Sequence, residues 1–221
     1  NNNESSYNRT YRNLFPSASF LYEVNKITDF TFSYARKIEQ PGYTELDPNL
    51  NGSFDNFTSS IGNPNLSANF YNNFETKLSL LKYAYIGFNY QFSKTENLLV
   101  IESLENLKTT QTIKSFNNLR NYNLSIAIPI PFAIFSQGLN FFNQGKINID
   151  KLSFLYFVGG YNSYRIDNAE EYIDSFKPYY YFNAYSQIIL PYEFKMSINY
   201  SFASKGTHQI YQIEKPIHRL D

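Results

Sequence analysis

The chain has no cysteine and no tryptophan, and only one methionine and two histidines in 221 residues. Without cysteine there can be no disulfide framework and no thiolate metal site, and nothing follows about compartment. No apolar run reaches the roughly 18 residues that a membrane-spanning helix needs. That leaves open a membrane-spanning sheet, whose strands are only half apolar and give a weak hydropathy signal. Net charge is zero, with 19 basic residues against 19 acidic ones. No basic face therefore speaks for nucleic acid. Motifs of catalysis are missing too: no Gly-x-Ser-x-Gly, no Walker loop, no dinucleotide fingerprint, no His-Glu-x-x-His. His208 and His218 stand too far apart for ligand spacing, so neither enzymatic chemistry nor a cofactor is expected. The chain opens Asn-Asn-Asn-Glu-Ser-Ser with no leader pattern and closes on a segment that is starting to alternate. Both ends are expected to be cuts in something longer.

What is abundant is aromatic: 21 Tyr and 21 Phe, residues that a pleated surface accommodates well. The stretch from Ile61 to Ser93 organises the rest. Ala84, Ile86, Phe88, Tyr90 and Phe92 form one row; Tyr85, Gly87, Asn89, Gln91 and Ser93 form the other. A period of two is that of an extended strand. Upstream, Phe74, Thr76, Leu78 and Leu80 alternate with Asn73, Glu75, Lys77 and Ser79. The short Leu81-Lys82-Tyr83 corner predicts an antiparallel hairpin between them. Strands of about ten residues are long enough, when tilted, to cross the apolar part of a bilayer.

The same pattern predicts strands over Leu14–Val24, from Phe30 to Ala35, over Asn121–Ile130, Ile147–Tyr164 and Tyr179–Leu190, and from Phe194 to Ala203. Residues 37–66 read as a long loop punctuated by Pro41-Gly42, Asp47-Pro48, Asn51-Gly52 and Asn63-Pro64, and residues 94–112 as a second irregular stretch. Pro129 and Pro131 are expected to end their ladder, since neither donates a backbone hydrogen bond. Residues 132–146 allow a short helical turn, and Arg165–Lys177 reads as an acidic loop. The result is about eight to nine strands of an all-β chain, with short turns on one side and long loops on the other.

Charge then assigns faces. Rows carrying Phe20, Phe32, Ile86, Phe88, Ile126, Ile128, Ile198 and Phe202 hold no charge and are expected to face lipid. Glu75, Lys77, Asn89, Gln91, Asn123 and Lys195 fall in opposing rows, expected to line a lumen. A membrane imposes this, because Lys or Arg at the midplane of a lipid face costs about 2–4 kcal/mol. A soluble sandwich would segregate its faces similarly, with the apolar row against a partner sheet. Strand length and one-sided long loops favour the barrel.

Loop aromatics Tyr43, Phe54, Phe57 and Tyr164 are the candidate ligand contacts, since exposed rings stack on sugars or clamp peptides. The alternative is that aromatics near strand ends, such as Tyr34, Tyr90 and Tyr200, form an interfacial girdle. Asp167, Glu170, Glu171 and Asp174 are a weak metal candidate, because their spacing matches no calcium loop and a solvated acidic loop explains them.

Several segments together carry a family resemblance. They are Asn13-Leu14-Phe15-Pro16-Ser17, the strand from Phe30 to Arg36 followed by Pro41, the loop Ile61-Gly62-Asn63-Pro64-Asn65-Leu66, Asn73-Phe74-Glu75, and the run from Ser204-Lys205-Gly206 to Leu220-Asp221. In this order they resemble the outer-membrane β-barrel proteins of Bacteroidota, related to the barrel of TonB-dependent receptors. The usual Pro-Glu after the Gly-Asn-Pro-x-Leu loop is replaced by Ser67-Ala68-Asn69. The resemblance implies that residues 1–221 are one partial domain of a 22-stranded antiparallel transmembrane barrel, with the plug and closing strands lying outside it. It also implies outer-membrane lipid, a plug, the remaining barrel strands and a TonB-type energy-coupling protein as partners, while a surface lipoprotein is the partner of the alternative, structural barrel. Three functions stay open at this point: a receptor that imports a bulky nutrient, a structural or assembly barrel, and a soluble carbohydrate-binding β-sandwich.

Overall fold

The computed structural model describes residues 13–48, 50–53, 57–80, 84–103, 108–138, 141 and 152–221. One antiparallel path of nine strands dominates: β1 (Ser17–Asn25), β2 (Thr28–Glu39), β5 (Asn69–Leu80), β6 (Ala84–Ser103), β7 (Thr109–Pro131), β8 (Phe154–Asp167), β9 (Tyr179–Ile189), β10 (Lys195–Ala203) and β13 (Ile217–Leu220). The remaining strands belong to loops: β3 (Leu50–Ser53), β4 (Thr58–Ile61), β11 (Gly206–His208) and β12 (Tyr211–Ile213). The described residues also include two single-turn α-helices, α1 (Tyr43–Leu46) and α2 (Ile134–Gln137). Neighbours in sequence are neighbours in the sheet, as a meander requires. Among the described residues the sheet does not close on itself: β1 and β13 stand at its two ends.

Register follows the alternation. Phe20 pairs with Phe32, Phe32 with Thr76, Thr76 with Phe88 and Phe88 with Leu124, all in one level row. One strand-step away, Tyr22, Phe30, Leu78, Ile86 and Ile126 form the next row. A slip of one residue would move both rows to the other face, so the pattern pins the pairing. No second layer covers these side chains among the described residues. Phe88 is 41% exposed and Ile198 42%, which a sandwich core would not permit.

The inward rows are polar and equally continuous. Ser33, Glu75, Asn89, Asn123 and Asn162 stand at one level, and Ala35, Asn73, Gln91, Asn121 and Tyr164 at the level above. Below them lies Gly160, where an added Cβ would meet Leu124 O and Tyr181 Oη at 2.6 Å. The Tyr181 ring occupies the space that a side chain there would take, filling a glycine gap with a neighbouring aromatic.

Several boundaries differ from the sequence reading, each for a physical reason. β1 starts at Ser17, yet Pro16 O still accepts from Arg36 N at 3.0 Å. The predicted loop 37–66 carries regular elements: β2 runs on to Glu39, and α1, β3 and β4 follow. Residues 94–112 are mostly strand, because β6 and β7 continue as a tall hairpin of 20 and 23 residues. Pro129 and Pro131 stay in the β7–β8 ladder, opposite Tyr156 and Phe154. Both lie past the final β6–β7 pair, Tyr85 with Ala127, so no bond is asked of them on that side. β8 begins at Phe154 and runs through Arg165 to Asp167, shortening the acidic loop. The expected start of that strand at residues 147–151 and the 81–83 corner lie outside the described residues.

Turns and loops segregate by side. The β1–β2, β5–β6 and β9–β10 links are short and share one end of the sheet, the last through the 3-10 turn Pro191–Glu193. The long β2–β5 and β10–β13 links share the other. The β7–β8 link (residues 132–153), which carries α2, is the one long connection at the turn end.

The tall hairpin changes face part-way up. Below, odd residues of β6 and β7 look inward: Gly87, Ser93, Leu119, Asn121 and Ala127 are buried. Above, the buried residues are even: Glu96, Leu98, Val100 and Phe116. The ladder passes from Ser93↔Leu119 to Thr95↔Asn117, skipping Lys94 and Asn118. Asn118 has φ +50°, a left-handed conformation that asparagine tolerates better than most residues. Both strands stutter at one level, so register survives while the inward row switches parity.

Candidate functional site

The described residues form three zones along the strand axis. The lowest is the apolar belt already outlined. Above it, Tyr34, Phe74, Tyr90 and Tyr122 stand at one level on four adjacent strands. Their ring centroids are 4.8, 6.2 and 4.9 Å apart in turn, within the range of favourable aromatic pairs. Tyr34 Oη donates to Asn72 Oδ1 at 2.9 Å, on the side towards the loops. An apolar ring with its hydroxyl turned to the wet side is the arrangement of an interfacial girdle.

Above the girdle lies the third zone, where loops fold over the inner face. Leu98, Val100, Phe116, Leu119, Ile166, Ala169, Ile173 and Ile210 make the main buried cluster, with Tyr71, Tyr164, Tyr172 and Phe176 packed against it. Strands β6, β7 and β8 supply one side; the segment 168–178 and the β11–β12 turn supply the other. Tyr211 Oη donates to Leu99 O at 2.6 Å, tying that turn to the hairpin. Lys114 bonds the Glu102 carboxylate and the Tyr172 hydroxyl, the latter at 2.8 Å. These two partners hold its ammonium well above the usual lysine range.

The Gly62-Asn63-Pro64-Asn65-Leu66 loop is a latch in this zone. Gly62 N donates to Asp47 O at 2.9 Å and Asn63 N to Glu45 O at 2.6 Å. Asn63 Nδ2 donates to Ile113 O at 2.9 Å, while Asn63 Oδ1 accepts from Asn65 N at 3.0 Å. Leu66 is fully buried. Glycine admits the close backbone approach, asparagine caps two backbone groups, and leucine anchors the end. Just before the latch, β4 pairs in parallel with β7, Thr58 opposite Thr109. It uses β7 above the last β8 partner, Asp167.

A cleft of about 560 Å³ opens between the wall and the β11–β12 turn, lined by Lys37, Glu39, Tyr71, Glu96, Tyr164 and Gln209 among others. Its volume falls in the range of small-ligand sites. Glu96 is only 5% exposed and its Oε2 has no hydrogen-bond partner. Burial pushes its carboxyl up to about 7; the nearby Tyr71 hydroxyl opposes this, and the charge of Glu39 adds to it. Tyr71 Oη itself donates to Glu39 Oε2 at 2.6 Å. Here, outside the bilayer, a carboxyl exchanges its proton near neutrality beside an aromatic wall.

The sequence-derived candidates are scattered across these zones. Tyr164 lies on β8 in the cleft, its ring 5.1 Å from His208 and edge-on to it. Tyr43 is 94% exposed on α1, and Phe57 is exposed ahead of β4. Phe54 lies outside the described residues. Of the acidic residues, Asp167 accepts from Asn118 Nδ2 at 2.8 Å and lies 3.9 Å from Arg120. Among the described residues no three metal-ligating side chains come together. Each histidine meets a tyrosine instead: His208 Nδ1 lies 3.1 Å from Tyr179 Oη, and His218 Nδ1 2.8 Å from Tyr200 Oη. Burial lowers the His208 imidazole from its ordinary range. Glu96 and Glu39 escaped the sequence reading, since they are 57 positions apart and only the β2–β5–β6 pairing joins them.

An apolar outer belt without charges, an aromatic girdle above it and a polar inner wall, on antiparallel strands long enough to cross a bilayer, define a β-barrel protein of the outer membrane. The model of the outer membrane protein beta-barrel family matches residues 1–221, and the chain belongs to that family. Its place in the cell is the outer membrane. Neither a curated protein nor a solved structure matches the chain.

A direct consequence concerns the belt. Phe88→Lys is expected to destabilise the inserted protein by about 2–4 kcal/mol, and Asn89→Lys, on the inner face, by far less. Urea titration in lipid vesicles followed by tyrosine fluorescence compares them; equal midpoints would show that Phe88 does not meet hydrocarbon.

Proposed function

We propose that the chain is part of the barrel of a TonB-dependent-type receptor, of the Bacteroidota kind, that takes up a bulky nutrient. The observation that carries this reading is the open nine-strand wall, with a polar row on its inner face that runs unbroken from Ser33 of β2 to Asn162 of β8. Eight strands suffice to close a barrel filled by its own side chains, so a wall this wide and polar suits a lumen large enough for a plug. Loops folded around the Tyr164–Glu96 cleft would take up the ligand, the plug would gate the pore, and an energy-coupling protein would pull the plug. No residue here is assigned a chemical step.

A second reading, a barrel that docks a surface lipoprotein, draws on the tall hairpin. Leu99 and Ile101, 43% and 55% exposed, lie on its outer side above the girdle. Growth of cells lacking the protein on a panel of oligosaccharides, peptides and metal chelates separates the two. A defect on one bulky nutrient, reproduced in parent cells by collapsing the proton gradient, is expected. Normal growth on every nutrient, with a lipoprotein lost from the surface, would replace the first reading with the second.

A further inference from the structure

We propose that the outer face carries a docking site for a phosphate-bearing lipid of the outer leaflet, built from Arg36, Arg120 and Arg165. The register sets these three at one level: Arg36 opposite Asn72, Asn72 opposite Phe92, Phe92 opposite Arg120, and Arg120 opposite Arg165. All three share the outward face with the girdle, since Tyr34 and Tyr122 stand two residues away on the same strands. Two residues of strand are roughly 7 Å, so the guanidinium row lies just beyond the girdle, on the loop side, at headgroup depth.

The protein leaves these charges poorly satisfied from within. Arg120 and Arg165 face one another directly across two strands, a like-charge pairing that destabilises a sheet. Asp167, at 3.9 Å from Arg120, is the sole ion partner of the row among the described residues, and Arg165 is exposed. Arg36 is held over the Phe70 ring, 5.4 Å from its centroid, and its buried Nε has no hydrogen-bond partner. A cleft of about 430 Å³ adjoins the Arg120–Arg165 pair, with Glu170 and Asp174 also lining it. Those carboxylates disfavour an anion deeper in the loops and leave the arginine row as its seat. A phosphate there would accept forked hydrogen bonds from guanidinium, while its acyl chains lie along Phe74, Phe88 and Leu124. A free anion lacks the second half of that contact.

The test uses the full chain in dodecyl maltoside micelles doped with phosphorylated lipid A, or with phosphatidylcholine as the zwitterionic control. Bound lipid is counted by native mass spectrometry. The parent is expected to retain lipid A selectively, and the triple variant Arg36→Gln, Arg120→Gln, Arg165→Gln to lose at least tenfold in retention. Arg165→Gln alone, at an exposed position, is expected to lose about threefold and serves if the triple variant does not fold. Millimolar inorganic phosphate should leave the bound lipid in place. Equal retention by parent and Arg165→Gln, or displacement by inorganic phosphate, overturns the proposal.

Discussion

Gly62→Ala is expected to release the latch while leaving the barrel wall intact. A Cβ at Gly62 would stand 2.2 Å from Asp47 O, 2.7 Å from Asp47 N and 2.9 Å from Asp47 C. All three are backbone atoms, so no side chain can swing aside; either the Asp47 or the Gly62 segment must move. The movement breaks the Gly62–Asp47 and Asn63–Glu45 bonds and pulls Asn63 from Ile113. Forcing one extra carbon into a packed site typically costs about 1–3 kcal/mol, which is roughly a five- to hundredfold rise in the open population. Limited proteolysis between residues 40 and 68 reads that rise directly. The β2–β5 ladder, from Thr28↔Leu80 to Glu39↔Asn69, lies on either side of this segment and should keep its hydrogen-exchange protection. Unchanged cleavage would mean that the latch is not a closed unit in the membrane. Asn63→Ala tests the same unit by a different route, since it removes the Ile113 bond without adding volume.

How far the sequence foretold this arrangement depends on the distance from the bilayer. In the belt, one face must be apolar and the other polar, so the period of two is strict. The level row of Phe20, Phe32 and Phe88 could accordingly be read before any coordinates. Above Ser93 that constraint disappears. Leu98, Leu99, Val100 and Ile101 are apolar on both faces, the inward row changes parity at Lys94 and Asn118, and alternation ceases to mark a strand. The tall half of the β6–β7 hairpin consequently resembled a loop. Strands β3, β4, β11 and β12, each of three or four residues, are too short for any periodicity to show. The latch was visible as a motif, but its glycine's reason was not, because Asp47 lies 15 positions away. The cleft was legible only through Tyr164. Its carboxylates, 57 positions apart, come to one cleft only across the β2–β5–β6 pairings, and the one local hint was an acidic residue, Glu96, sharing parity with Leu98 and Val100.

That carboxylate should make the loop cluster pH-sensitive. Glu96 in the folded chain titrates at about 7, against an ordinary value of 4.5. The folded form binds the proton more tightly than the unfolded one, so the stabilisation is complete below 4.5 and is lost as pH rises through 7. Converting the interval gives about 3 kcal/mol between the two limits, large beside the few kcal/mol that hold a loop cluster closed. Opening of the zone around Leu98, Val100 and Phe116 is therefore expected to be on the order of a hundredfold rarer at pH 5 than at pH 8. Hydrogen exchange at those amides, corrected for intrinsic rates, measures it. Glu96→Gln keeps the shape but cannot ionise, so its opening should stay near the acid-limit value at both pH values. Glu39→Gln removes a neighbouring negative charge and should narrow the pH window from above without abolishing it, because burial is the larger cause. Parallel pH profiles for the parent and Glu96→Gln would show that some other group gates the cluster. A protonated Glu96 becomes a donor facing the cleft, whereas an ionised one adds a second carboxylate charge beside Glu39. Acidification should accordingly favour anionic ligands in the cleft and neutral pH cationic ones.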